Sequence, residues 1–539
     1  MSGRLSSTNA SASARGLYRV LQRIVVFGAL LFPIACDDDT PTRPSLARPE
    51  YTQQQPATHP EPPTRLIILI SIDTLRADHL GLYGYDRLTS PNLDLFALEG
   101  TVFEDASSVA PWTLPAHASM LTGLYPLSHG LVEPTRRLPD TVPTLAGLLT
   151  EGGWNTGAIV NSTWLLRKNF EITRDFDQFV YVQEDYEQVL PTRIITDKAI
   201  QWIDDARGSK FFLFLHYYDV HSDYTSLPKF EKLFVSPYSG KVDGTTWQLN
   251  VASMPDSYIE SCQTDYDEKR CRFGDGEGSH SVDTSVEKLV FKQADLKHLK
   301  ELYDAGIRQF DTELGRLLRF LEYGGLMKNA KVIITSDHGE EFSDHGRFYH
   351  VLTTYQEALR VPMIVRGAGI AEGRRVPLPV SIVDLVPTIL GWAGIPLPQD
   401  LEGEDLGPLF EARENKEAVL ELETRLSERF QYGEASGGIQ WEQTAPGVMP
   451  TFSSVRQGRF KVVHQVNNPG DTETALYDLS EDPGETIDIS SQRSDVTAAL
   501  RAEVEKRAAL FQEEPSSENK IELDPDEASR LRALGYMVD

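Results

Sequence analysis

Residues 111–130 read PWTLPAHASMLTGLYPLSHG. Pro115 has no N–H to donate and suits the first turn of a helix. Ala116 to Leu121 tolerate helix, and Gly123 is a stop signal. Thr113 is therefore expected at a helix N-terminus, where unsatisfied N–H groups and the helix dipole favour an anion. A hydroxyl held there is placed to attack an anionic ester. Taken alone, the commoner reading of such a threonine is an ordinary N-cap.

Three apolar runs lie around this stretch. Residues 65–72 (RLIILISI), 210–217 (KFFLFLHY) and 331–336 (KVIITS) read as strands covered on both faces. They are followed by Asp73-Thr74, by Asp219-Val220-His221 and by Asp337-His338. Ligands of open α/β sheets collect beyond the carboxyl ends of strands. Asp73 is thus a metal-ligand candidate, with turn chemistry as its alternative. Asp337 with a neutral His338 makes a pair suited to a borderline metal. His221 suits an anion contact or a leaving-group acid, whereas His216, inside its strand, reads as packed core.

The central stretch resembles the signature of the sulfatase family: Cys or Ser, any residue, Pro, Ser or Ala, Arg, three residues, Leu or Met, Thr or Ser, Gly. Pro115, Ala116, Leu121, Thr122 and Gly123 match. Thr113 stands where sulfatases oxidise Cys or Ser to formylglycine, and His117 stands where an Arg braces that aldehyde. A threonine carries a β-methyl and cannot become an aldehyde by that route. Members of the wider alkaline phosphatase superfamily use an unmodified Thr at this place. Asp337-His338 departs from the sulfatase Asp-Asn in the same direction. Thr74 replaces a second Asp that sulfatases usually carry. The position of His350 resembles that of a sulfatase Lys or His that contacts the anion, while His345 reads as structural. Further resemblances are Arg360-Val361-Pro362, the segment 381–388, and the late Leu476-Tyr477-Asp478-Leu479 and Asp482-Pro483-Gly484-Glu485. The similarity spans residues 65–490. It implies an α/β alkaline-phosphatase-like core with a mixed, mostly parallel sheet flanked by helices, and a smaller C-terminal α+β subdomain with an antiparallel sheet.

The chain has 539 residues and a net charge of −28, which suffices for a large core and argues against nucleic acid or an anionic membrane surface as the main partner. At the N-terminus, Arg15, Arg19 and Arg23 precede the apolar run 24–35, which is too short to span a bilayer and ends in Ala35-Cys36. This resembles a bacterial lipoprotein cleavage box. It predicts a signal peptide over 1–36, lipid anchoring through Cys36, and a place in the bacterial cell envelope. Residues 37–64 read as a disordered tether. Export makes a disulfide between Cys262 and Cys271 plausible, with free thiols as the alternative.

The catalytic domain is expected over 65–396, with an aperiodic insertion at 225–290 over the site, and the C-terminal subdomain over 397–539. Helices are expected at 141–151, 192–206 and 292–323, where Asp304 and Asp311 read as solvated or capping. A hairpin is expected across Gln457-Gly458.

The resemblance implies one divalent metal on Asp73, Thr113, Asp337 and His338, manganese or zinc being favoured over calcium or magnesium. His221, His345, His350 and Asp219 do not make a persuasive second set. Thr113 would act as nucleophile, with His221 and His350 handling the anion or the leaving oxygen and His117 orienting the threonine. Phosphate or phosphonate esters, mono- or diesters, are favoured as substrates. Sulfate ester hydrolysis without formylglycine, phosphoglycerol-type transfer and a non-catalytic lipid-anchored binding protein are the alternatives.

Overall fold

The computed structural model describes residues 64–183, 191–253, 289–410, 416–435, 451–468, 471–509 and 519–521. The segment carrying Cys36, the tether, most of the 225–290 insertion and both Cys262 and Cys271 lie outside the described residues.

A central sheet of eight strands forms around the three apolar runs. In chain order these are β1 (Leu66–Ile72), β2 (Thr101–Ser107), β3 (Asn155–Val160), β4 (Gln178–Tyr181), β5 (Phe211–Tyr217), β6 (Ala330–Ser336) and, after the two-stranded β7 (Glu341–Phe342) and β8 (Phe348–Tyr349), β9 (Arg360–Gly367) and β10 (Arg374–Ser381). Their spatial order is β10-β2-β9-β6-β1-β5-β3-β4. All neighbours are parallel except β9, which runs against β6 and β2. β1, β5 and β6 are buried along their whole length, as expected of central strands with helices on both faces.

Register is what brings the site together. Ile72 of β1 pairs with Tyr217 of β5 and with Ser336 of β6. Asp73 and Asp337 therefore leave adjacent strands at the same level, with Tyr218 to His221 beside them. Ser336 ties these ends further: its hydroxyl lies 2.6 Å from the Ile72 carbonyl and accepts the Leu75 N–H.

The helices fall close to expectation, at Leu145–Glu151, Pro191–Asp205 and Gln293–Tyr323. Asp311 on the long helix caps a neighbour: its carboxylate accepts the backbone N–H groups of Asn92 and Leu93 at the start of helix Pro91–Leu98. Asp304 is not solvated. It is completely buried and bonds His79, Tyr85 and Arg87, because the long helix packs that face against the 76–87 segment. Ser90, at the N-cap position of helix Pro91–Leu98, makes no side-chain capping bond; its hydroxyl accepts the Gly81 N–H and donates to Asp94 Oδ1.

Beyond the main sheet, β11 (Phe430–Ala435), β12 (Thr451–Gln457), β13 (Phe460–Asn468) and β14 (Asp471–Asp478) form an antiparallel sheet, with helix Ser494–Ala509 packed on it. The β12–β13 turn falls at Gln457-Gly458, as expected, with Gly458 at φ 56°. No helix among the described residues is long and apolar enough to cross a membrane.

Candidate active site

Thr113 is the first residue of helix Thr113–Thr122, and the N-cap position is Trp112, with no side-chain cap. The N-cap reading of Thr113 is thereby excluded. Its hydroxyl turns away from its own helix and lies 3.5 Å from Asp73 Oδ2 and 3.4 Å from His338 Nε2. His117, one turn on, meets the Thr113 carbonyl through Nδ1 at 2.9 Å and Ser71 Oγ through Nε2 at 3.0 Å. It pins the first helical turn to β1. Gly123 ends the helix at φ 73°.

Asp73, Asp337 and His338 are fully buried and close enough together to hold one ion. His338 Nε2 is 3.4 Å from Asp337 Oδ2 and 3.6 Å from Asp73 Oδ1, yet neither oxygen has a hydrogen-bond partner. Buried carboxylate oxygens without partners are costly. Ligands bound at about 2.1 Å around a tetrahedral ion lie roughly 3.4 Å from one another, so these spacings fit atoms aimed at a common cation. His338 Nδ1 faces the Gly339 carbonyl at 2.9 Å, which fixes the proton there and leaves Nε2 as the ligand atom. Burial pushes the Asp73 carboxyl up to about 7, against the pull of His338 and Thr113. Burial and the charge of Asp73 likewise raise Asp337. The residues present fit a divalent metal.

Gly339 lets the Asp-His turn close: a Cβ there would lie 2.0 Å from the Glu357 carbonyl. Thr74, in the place of a second carboxylate, sits at φ 57°, an unfavourable region for a β-branched residue.

His221 and His350 complete the cluster, with ring centroids 4.9 Å apart; His350 lies 4.6 Å from His338. His221 Nδ1 is 2.7 Å from the Tyr218 hydroxyl, and His350 Nδ1 is 3.1 Å from Glu340 Oε1. Burial lowers His221 to about 3 and His350 well below the usual imidazole range. Both neighbours of His350 have positive φ, 73° at Tyr349 and 93° at Val351, and the Val351 N–H bonds the Pro111 carbonyl at 2.8 Å. The His350 loop is stapled to the Thr113 loop.

Every expected site residue is therefore in one cluster: Asp73, Thr113, His117, His221, Asp337, His338 and His350. His345 is apart and structural, bonded to Glu357 and to the Glu485 carbonyl. Asp219 also turns elsewhere, accepting from Gln309. His216 is fully buried, as its core reading has it, and its Nε2 also reaches the site, 3.3 Å from Asp73 Oδ2. Its position opposite Ser71 in β1 is the signal that would have revealed it, and that register is invisible in a single strand's sequence.

Comparison with known proteins agrees with this geometry. The sulfatase family model matches residues 65–395, and the C-terminal model of N-sulphoglucosamine sulphohydrolase matches 343–510. The chain is 23 % identical to an N-acetylglucosamine-6-O-sulfatase of Bacteroides thetaiotaomicron, over 87 % of this chain and 89 % of that one. It is 24 % identical to a multifunctional alkaline phosphatase superfamily protein of Trinickia caryophylli, over 79 % and 91 %. In structure it resembles a phosphonate monoester hydrolase from Silicibacter pomeroyi, with a TM-score of 0.60 and 20 % identity over 85 % of this chain and 99 % of that one. Family members use a divalent metal, consistent with the Asp73, Asp337 and His338 cage. The chain belongs to the sulfatase family, within the alkaline phosphatase superfamily, and is an ester hydrolase.

Proposed function

We propose that the protein hydrolyses phosphate or phosphonate esters through unmodified Thr113. The observation that carries this reading is the threonine hydroxyl at the meeting point of Asp73 and His338. A side chain that cannot yield a formylglycine occupies the nucleophile's place, with its oxygen aimed at the metal cage. Asp73, Asp337 and His338 would hold the ion, with the Thr113 oxygen beside them. A bound divalent cation lowers a hydroxyl pKa and offsets charge on a phosphoryl oxygen.

The chain's own groups account for the remainder. Thr113 Oγ1 donates towards Asp73 Oδ2, which orients its lone pairs for attack. Attack forms the Thr113–phosphorus bond and expels the ester oxygen, which takes up a proton. Water then attacks phosphorus in line and frees Thr113. Burial holds His221 and His350 towards the neutral form, and each is placed to exchange a proton with water or the leaving oxygen. His117 keeps the threonine carbonyl, and hence the helix start, in place. A sulfate ester on threonine lacks the hemiacetal cleavage that releases sulfate from formylglycine, and this favours phosphorus over sulfur. The sulfatase relatives supply the second reading, sulfate ester hydrolysis by the same residues. Cell-envelope attachment through Cys36 belongs to the same proposal and rests on the sequence alone.

The test is turnover of p-nitrophenyl phosphate, bis-p-nitrophenyl phosphate, p-nitrophenyl phenylphosphonate and p-nitrophenyl sulfate with added manganese or zinc. Phosphorus-ester turnover that disappears in Thr113→Ala is expected. Sulfate turnover alone would overturn the choice of phosphorus. Silence on all four substrates without bound metal would favour the binding-protein alternative.

A further inference from the structure

The catalytic cluster occupies the edge of the sheet where the parallel strands end. At the opposite edge β5, β1 and β6 begin level, Leu66 pairing with Phe211 and with Ala330. Arg65 and Lys210 immediately precede β1 and β5, and Lys328 lies just before β6. Farther along the same edge, Arg374 opens β10 and pairs with Thr101, the first residue of β2. Arg65, Lys210 and Lys328 are exposed and Arg374 is half-buried. Arg65 donates to the Gly208 carbonyl and Lys210 lies over the Trp154 ring, but none of the four is in an ion pair among the described residues. Two helices finish beside them. Arg366, near the end of β9, bonds Glu322 and Glu99 and so draws together the ends of helices Gln293–Tyr323 and Pro91–Leu98. Their last residues, Tyr323 and Leu98, are 87 % and 69 % exposed.

Unmatched cations at one edge stand out on a chain of net charge −28. Nearby acids are largely engaged, Glu99 and Glu322 by Arg366 and Asp204 by Arg207, which leaves Asp205 and Glu372 outnumbered. An exposed leucine and tyrosine among lysine and arginine suit a phospholipid surface. The leucine enters the acyl boundary, the phenol stays at headgroup level and the cations meet phosphates. The chain's path favours the same partner, because the segment that follows Cys36 joins the domain at Arg65, on this edge. We propose that the edge where the parallel strands begin docks on an anionic bilayer through Leu98, Tyr323, Arg65, Lys210, Lys328 and Arg374. The proposal extends the attachment through Cys36 and rests on that reading for its membrane. Attachment confines the domain near the lipid, so a weak contact suffices. The seven residues of β1, at about 3.3 Å each, hold the metal cage roughly 23 Å farther from the bilayer than Arg65. The ester then reaches Thr113 from the aqueous side.

The test uses the full chain with Cys36→Ser and an N-terminal histidine tag, held on vesicles of phosphatidylethanolamine, phosphatidylglycerol and a nickel-chelating lipid, with and without brominated acyl chains. Attachment then does not depend on Cys36. Bromine quenches tryptophan only near contact, and the seven native tryptophans give a background common to all variants. Leu98→Trp is expected to lose fluorescence on brominated vesicles beyond the wild-type loss. Leu420→Trp, at a residue 64 % exposed on helix Lys416–Glu428, is expected to lose no more than wild type. Adding Lys210→Glu, Lys328→Glu and Arg374→Glu to Leu98→Trp should remove the extra quenching. Its absence from Leu98→Trp, its persistence after the three charge reversals, or equal quenching of both reporters would overturn the proposal. So would a stable dimer in lipid-free sedimentation that Tyr323→Glu dissolves, since the edge would then belong to a second copy. Mass analysis of the native chain for a lipid on Cys36 tests the attachment separately, so the two readings fail by different measurements.

Discussion

At Thr113 the chemistry turns on one oxygen and one methyl group. Thr113→Ala removes the nucleophile and should lower kcat by roughly 10³-fold or more. Thr113→Ser keeps the oxygen and should retain measurable turnover under the same assay. His338→Asn removes the ligand whose Nδ1 is fixed by Gly339. It should weaken metal affinity by at least the roughly 10–100-fold typical of lost outer-shell partners, read by competition with a chelator. Gly339→Ala would place a Cβ 2.0 Å from a backbone oxygen, so a loss of metal binding is expected without any ligand being changed. Asp73, Asp337 and His338 were legible because a polar residue ending an apolar run is conspicuous. His216 was not, because an imidazole inside KFFLFLHY looks like core, and only pairing with Ser71 reveals which way it faces.

The elements explain why these residues meet. Three parallel strands end level, and a helix begins over them with its hydroxyl turned inward. The strained φ values at Thr74, Tyr349 and Val351 cluster around this point, as expected where the surroundings over-determine a functional geometry. Farther out, Asp311 serves as a borrowed cap for helix Pro91–Leu98. Asp311→Ala would leave the buried Leu93 N–H without its partner and should cost about 2 kcal/mol in urea unfolding, with little change in turnover per folded molecule. The central strands β1, β5 and β6 were plain from their continuous apolar runs. β2 and β10 were not: β2 carries Glu104 and Asp105, and β10 carries Pro377 and Pro379. Prolines are tolerated in β10 because it lies at the sheet edge, a fact of topology and not of local composition.

Across the whole molecule, the second sheet braces the loop that carries His350. Buried Lys461 of β13 bonds the Thr354 carbonyl and pairs with Glu485, while His345 bridges Glu357 and the Glu485 carbonyl. Burial opposes charge on His345, but its bond to Glu357 outweighs this and raises it to about 9. A folded-state pKa above the unfolded value of about 6.5 gives stability that is full below that value and is lost as pH rises through 9. Wild type should therefore exceed His345→Gln in urea midpoint by more at pH 6 than at pH 9.5. The resemblance of the late Leu476-Tyr477-Asp478-Leu479 segment made this second sheet legible, but its bracing of the His350 loop required the tertiary contacts. The central claim is that an unmodified Thr113 takes the phosphoryl or phosphonyl group. The most direct measurement is peptide mass mapping of metal-loaded protein, acid-quenched during turnover of p-nitrophenyl phenylphosphonate. The account predicts an unoxidised Thr113 with a fraction carrying the phosphonyl group. Full activity with no adduct at Thr113, together with undiminished turnover in Thr113→Ala, would contradict it.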